Sequence, residues 1–270
     1  MRPGFAVPAV ARPVRAAYRG AMTHGRAAAE PAADPVLLAL PFSGPWLAQN
    51  SPARRVPSHG TDLFGERYAI DFVGVDDRGH TATHRDWGTW FGTEPVDRFV
   101  GFGRPVLAPA SGSIVAVHDG EADHDARRSQ FALLPYALGQ AARVRAGVAA
   151  VAGNHVVIRL AGGAGFVALV HLRAGSIRVG VGEAVTGGQH LAGCGNSGNS
   201  TQPHLHLQAM DSLDLADARG LPIVFGCYRE RAGSAGTSVV RASGVPAEGS
   251  IVEPECATPE PTCPGRPPAK

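Results

Sequence analysis

Apolar residues in this chain come in short runs, several alternating with polar positions, and clusters rich in Gly, Pro, Ser and Asn separate them. A period of two places alternate side chains on opposite faces of a strand. The pattern predicts strands at Val36 to Pro41, Tyr68 to Val75 (YAIDFVGV), Ser113 to His118 (SIVAVH), His155 to Leu160 (HVVIRL), Phe166 to Leu172 (FVALVHL) and His204 to Gln208 (HLHLQ). AGGAG, between HVVIRL and FVALVHL, reads as a hairpin connection, and VGVGEAV and GCGNSGNS read as Gly-rich turns.

Two stretches depart from the alternation. Residues 76–104 read as a long surface loop, and long loops in compact domains often rim a site. Within 120–150, Leu133–Val151 is rich in Ala, Leu and Arg and is the one helical candidate. The expected fold is therefore mainly β, with antiparallel sheets, long loops and at most one short helical insertion. Residues 1–34 carry Ala, Arg and Pro without a period and read as a poorly ordered leader. Residues 231–270 turn Gly-, Ser- and then Pro-rich and read as a tail, leaving 35–230 as the folded unit.

Composition narrows the class. The 270 residues contain 35 Gly, 22 Pro and 6% aromatics, which favours short strands and many turns over long helices. A net charge of +2 argues for neither nucleic acid nor an anionic membrane as partner. No run approaches the ~18 apolar residues of a spanning helix. The N-terminus has Arg2, Arg12, Arg15 and Arg19, but Pro3, Pro8 and Pro13 break its apolar pieces below the roughly 7–15 residues of a secretory core, so no signal peptide is expected. Cys194, Cys227, Cys256 and Cys263 form no C-x-x-C pair. Cys194 and Cys227 read as buried thiols, and Cys256 and Cys263 as able to close a small loop.

The candidate chemistry is in the histidines. His204 and His206 are two apart on an expected strand and so project to one face; neutral imidazole is the commonest metal ligand. Such a pair alone reads more readily as two surface residues. Asp71 alters the balance, because a carboxylate within YAIDFV is costly unless paired, hydrogen-bonded or bound to a metal. His59 precedes it among turn residues. A set of histidine, aspartate and strand-borne histidine gives three protein ligands with one open position, the pattern of catalytic zinc. His171, ending FVALVHL, is placed to orient a water or to stabilise a developing oxyanion. His84, Trp87 and Trp90 in the long loop could line a groove, Asn196 and Ser200 shape the turn before HLH, and His118, His124 and His190 read as outside the chemistry.

These motifs together resemble the lysostaphin-like (LytM-type, M23) zinc metallopeptidases. GNSGNSTQPHLH at 195–206 is similar to the family's G-N-S-G-x-S-x-x-x-H-x-H. VLAPASGSIVAVHDG at 106–120 and IRVGVGEAVTGGQHLAGCGNSG at 177–198 resemble its A-x-x-x-G-x-V and V-x-x-G-x-x-V-x-x-G-Q-x-I-G segments, in the same order. The resemblance implies a groove formed by the sheets, one Zn2+ per chain on His59, Asp71 and His206, and His171 and His204 as catalytic histidines that do not bind the metal. It implies hydrolysis of peptide bonds, with peptidoglycan stem or cross-bridge peptides as substrate, and an extracytoplasmic place; a monomer is expected. The chain departs from the family's H-x-x-x-D spacing, since Leu63 fills that slot. Asp71 is preferred as ligand because its I-D-F context resembles the family's G-I-D-I strand; Asp62 is the alternative. A non-catalytic binding or regulatory protein on the same fold is the competing reading. Which histidine acts as base stays open.

Overall fold

The computed structural model describes residues 33–84, 89–90, 92–129, 148–233 and 236–255, in a compact unit that begins at Ala33. Its strands are β1 (Val36–Leu38), β2 (Trp46–Gln49), β3 (Ile70–Gly74), β4 (Pro105–Leu107), β5 (Gly112–His118), β6 (Asn154–Leu160), β7 (Phe166–Leu172), β8 (Ala184–Val185), β9 (His190–Gly193), β10 (Leu205–Met210), β11 (Ile223–Ala232), β12 (Ser238–Gly244) and β13 (Ser250–Pro254). One large sheet runs β1-β11-β13-β2-β3-β10-β7-β6-β5-β8, with β12 also on β11, while β4 and β9 pair separately. Only the β1–β11 pairing is parallel among these strands. The fold is mainly β, as the alternation predicts. No helix among the described residues is long and apolar enough to cross a membrane.

The period of two sorts the central strands into a core face and a polar face. Ile70 and Phe72 of β3 and Leu205 and Leu207 of β10 enter the main apolar core with Phe42, Trp46 and Phe225. Asp71, His206 and Gln208 alternate with them on the same strands, yet they too are buried. The β3–β10 register places His206 directly opposite Asp71, and β2 places Gln49 opposite Asp71 from the other side. Sequence alternation and antiparallel pairing together therefore deliver an Asp–His pair to one spot of the sheet.

Five points need correction or completion. Residues 238–254, expected within a tail, form β12 and β13, and β13 lies between β11 and β2 with Val252 fully buried. Gly and Ser content marks the turns there, whereas Ile251 and Val252 supply the burial. β2 was not foreseen; it is only four residues long, but Trp46 is fully buried, stacks on Phe42 at 4.7 Å and lies under Arg104 at 4.8 Å. Cys194 is a buried free thiol as expected, but Cys227 is disulfide-bonded. The loop 76–104 carries a 3-10 turn at Val96–Arg98 and bridges of Ala82 to Phe99 and of Glu94 to Ala126. Of the helical candidate, Val148–Ala152 is helical; residues 130–147, Trp87, residues 1–32, Cys256 and Cys263 lie outside the described residues.

Candidate metal centre and its histidines

Asp71 is the hub. His206 Nδ1 is 2.9 Å from its Oδ1, His59 Nε2 is 3.2 Å from its Oδ2, and Asn50 Nδ2 donates to Oδ2 at 2.7 Å. His204 Nε2 stands 3.7 Å from Oδ1. His59, Asp71 and His206 each offer a ligand atom, all within 4.8 Å of one another. His59 returns to Asp71 across twelve residues because the intervening 3-10 turn, Leu63–Tyr68, doubles the chain back. Ser58 N donates to Arg67 O at 3.0 Å and ties the two arms of that turn. Asp62, the alternative ligand, is exposed and pairs with Arg67 at 2.6 Å, away from the cluster.

His171 reaches the site through a bulge. Asn154 pairs with Leu172 and Val156 with Leu169, so β7 carries one residue more than β6 between these pairs. A bulge re-aims the side chain it carries. His171 adopts φ 62 there, a left-handed conformation uncommon outside glycine. Its ring comes to 4.8 Å from that of His204 and 6.0 Å from that of His206.

Each of the four histidines has its outer nitrogen held by an acceptor. His171 Nδ1 lies 2.9 Å from Ser197 O and His204 Nδ1 2.8 Å from Gln202 O; a carbonyl only accepts, so both Nδ1 atoms carry the hydrogen. Ser58 Oγ donates to Glu66 O at 3.3 Å and so accepts from His59 Nδ1 at 3.0 Å. His206 Nε2 faces Gln208 Oε1 at 3.0 Å. In their neutral forms His59, His204 and His206 thus present lone pairs towards a buried carboxylate. That arrangement is repulsive unless a cation sits among them, and a mixed N/O donor set suits zinc. The residues present fit the metal.

Titration follows the same logic. Burial alone would raise the Asp71 pKa, but the neighbouring His204 and the hydrogen bonds of His206 and His59 hold it well below the usual carboxylate range. Burial opposes charge on His206 too, yet its bond to Asp71 prevails and pushes it up to about 9. A proton and a metal ion compete for that lone pair. Burial, followed by the charge of neighbouring histidines, pushes His171 well down; burial also lowers His204.

The 195–202 segment carries the acceptors for His171 and His204. Gly198, at φ +68, lies against Gly153, where an added Cβ would come within 2.3 Å of Gly153 N; this close approach is a physical reason for glycine in GNSG. Asn196 donates to His124 O, and Asn196 N donates to Asp123 Oδ1 at 2.6 Å. His124, read from sequence as outside the chemistry, places Nε2 2.9 Å from Gly198 O and so braces this turn. Ser200 Oγ donates to Gln202 O at 2.8 Å and lies 3.0 Å from His204 Nδ1. Asn50, Gln208 and Ser197 contact the cluster and were not singled out from sequence; Gln208 was signalled by HLHLQ, being two positions from His206. His84 and Trp90 are exposed in the long loop.

Residues 136–217 match the model described as Peptidase family M23. That window contains His171, His204 and His206. None of the curated proteins matches the chain. Among solved structures, the chain is similar to the catalytic domain of the antimicrobial peptidase lysostaphin from Staphylococcus simulans (21% identity, 57% of this chain and 74% of that chain, TM-score 0.32). It is also similar to a point mutant of the catalytic domain of the prophage-encoded M23 protein EnpA from Enterococcus faecalis (18%, 68% and 93%, 0.38). A third likeness is to a zinc-containing peptidase from Vibrio cholerae (19%, 52% and 42%, 0.27).

Proposed function

We propose that this chain is a zinc-dependent metalloendopeptidase, with one Zn2+ held by His59, Asp71 and His206 and with His171 and His204 as its catalytic histidines. One observation carries the reading: two imidazoles and a carboxylate converge within 4.8 Å, and two further buried histidines stand beside them. The family match supports a peptidase. Bound zinc would polarise the scissile carbonyl and lower the pKa of a water towards about 7. The work of the chain is then positional. Ser197 and Gln202 hold Nδ1–H of His171 and His204, which leaves each Nε2 free to take or return a proton. Burial keeps both rings neutral at neutral pH, the form a general base requires. One accepts the proton of the attacking water; the other supports the oxyanion or protonates the leaving amine.

The substrate we propose is a peptidoglycan stem or cross-bridge peptide, which implies an extracytoplasmic place; both rest on the family resemblance, since fold does not fix substrate. The test is metal content by mass spectrometry beside cleavage of such peptides, for wild type, Asp71→Ala and Asp62→Ala. About one zinc per chain, lost only with Asp71→Ala, together with metal-dependent cleavage, is expected. Folded wild type without zinc after supplementation would instead favour a non-catalytic binding module.

A further inference from the structure

We infer that Gln208 is a positioning residue that selects Nδ1 of His206 as the metal-binding atom and couples it to the turn that returns His59 to the site. The inference rests on the reading of His206 as a ligand. Gln208 is buried on the same face of β10 as His206. Its Nε2 donates to Phe64 O at 2.7 Å, and its Oε1 is 3.0 Å from His206 Nε2. An amide can be turned either way, so its orientation must come from its partners. Phe64 O accepts only, which fixes Nε2 on that side and leaves Oε1 to face His206. Oε1 accepts only, so His206 Nε2 must carry a hydrogen, and in the neutral ring that binds metal Nδ1 keeps the lone pair. Nδ1 is the atom beside Asp71 Oδ1.

The second half of the device is the turn. Phe64, with φ 58, belongs to the Leu63–Tyr68 turn, whose Glu66 O accepts from Ser58 Oγ, the hydroxyl that accepts from His59 Nδ1. A chain of hydrogen bonds therefore runs from His206 through Gln208 and the turn to His59. Outer-sphere acceptors of this kind orient ligand imidazoles, and their loss costs about 10–100-fold in metal affinity.

The test is zinc affinity by competition with a chromophoric chelator, with thermal melting of the metal-free proteins as a fold control. Gln208→Met fills similar volume but cannot accept from His206; its affinity should fall about 10–100-fold. Gln208→Glu keeps the acceptor for His206 Nε2 and loses the donations to Phe64 O and Met210 Sδ, so it should retain affinity within about 3-fold, a difference under 1 kcal/mol. Unchanged affinity in Gln208→Met overturns the inference, as does an equal loss in both variants, which would make Gln208 a prop for the turn alone. An independent reading needs no variant: 15N NMR of zinc-loaded wild type should show His206 with hydrogen on Nε2, and hydrogen on Nδ1 overturns the assignment. Wild type that takes up no zinc would instead sink the metal reading itself.

Discussion

At the scale of single residues, two kinds of histidine should separate by what they do when removed. His206→Ala deletes a proposed ligand beside Asp71, so both metal and cleavage should be lost. His204→Ala removes a ring whose Nε2 stands 3.7 Å from Asp71 Oδ1, outside the three-donor group. It should keep most of its zinc while kcat falls about 10²–10⁴-fold, the range for one general acid or base. Metal analysis and steady-state kinetics on the same preparations check both; loss of metal in both variants, or in neither, would contradict the assignment. Sequence made these residues legible because their spacing carries geometry. H-x-H on a strand means one face, and a carboxylate between Ile70 and Phe72 means a buried charge with partners. The supporting atoms were less legible. The role of Gln208 depends on Phe64 O, a backbone atom 144 residues away, and that of His171 on a bulge that no side-chain pattern announces.

At the scale of elements, the C-terminal strands matter more than their composition suggested. Glu230 on β11 accepts from Arg241 Nε of β12 at 2.9 Å, from Ala247 N at 2.8 Å and from Ser250 Oγ of β13 at 2.9 Å. One carboxylate thus ties three strands and the turn between two of them. Beyond it, Glu248 Oε2 accepts from Ser51 N at 2.8 Å, next to Asn50, which contacts Asp71. Burial alone would raise the Glu230 pKa, but the Ala247 amide, Arg241 and Ser250 lower it below the ordinary 4.5. A depressed carboxylate pKa contributes stability that is present above the unfolded value and lost as pH falls through the folded one. Glu230→Gln should therefore destabilise the protein by about 1–3 kcal/mol near neutrality, and the gap to wild type should close below about pH 4. Urea unfolding at a series of pH values measures this; a gap that persists unchanged into acid would show that the charge is not what holds the strands. The tail reading failed because Gly, Ser and Pro report turns faithfully, whereas a short strand such as SIVEP is revealed only by the neighbours that bury it.

At the scale of the molecule, the site joins parts of the chain that sequence comparison treats unequally. The M23 match covers His171, His204 and His206, whereas His59 and Asp71 lie before residue 136 and depart from the family spacing. The register of β3 against β10 brings the two halves together. The mainly β class was legible because alternation survives in each strand; the order β13-β2-β3-β10-β7 was not, since it is set by long-range pairing. A ligand that binds this junction should report on the whole fold. Metal held only by the folded chain stabilises it by RT ln(1 + [L]/Kd), about 2.7 kcal/mol at a free concentration of 100 Kd. For a domain of this size each kcal/mol shifts Tm by about 2–4 °C, so zinc should raise Tm by about 5–11 °C and a chelator should reverse it. Asp71→Ala should show little of that response, because without the carboxylate the histidines no longer form the mixed donor set. Calorimetry of wild type and variant, each with buffered zinc and with chelator, gives the comparison. A shift equal in both proteins would place the metal elsewhere on the chain, and the junction of β3 and β10 would then have to be explained as a hydrogen-bonded Asp–His cluster alone.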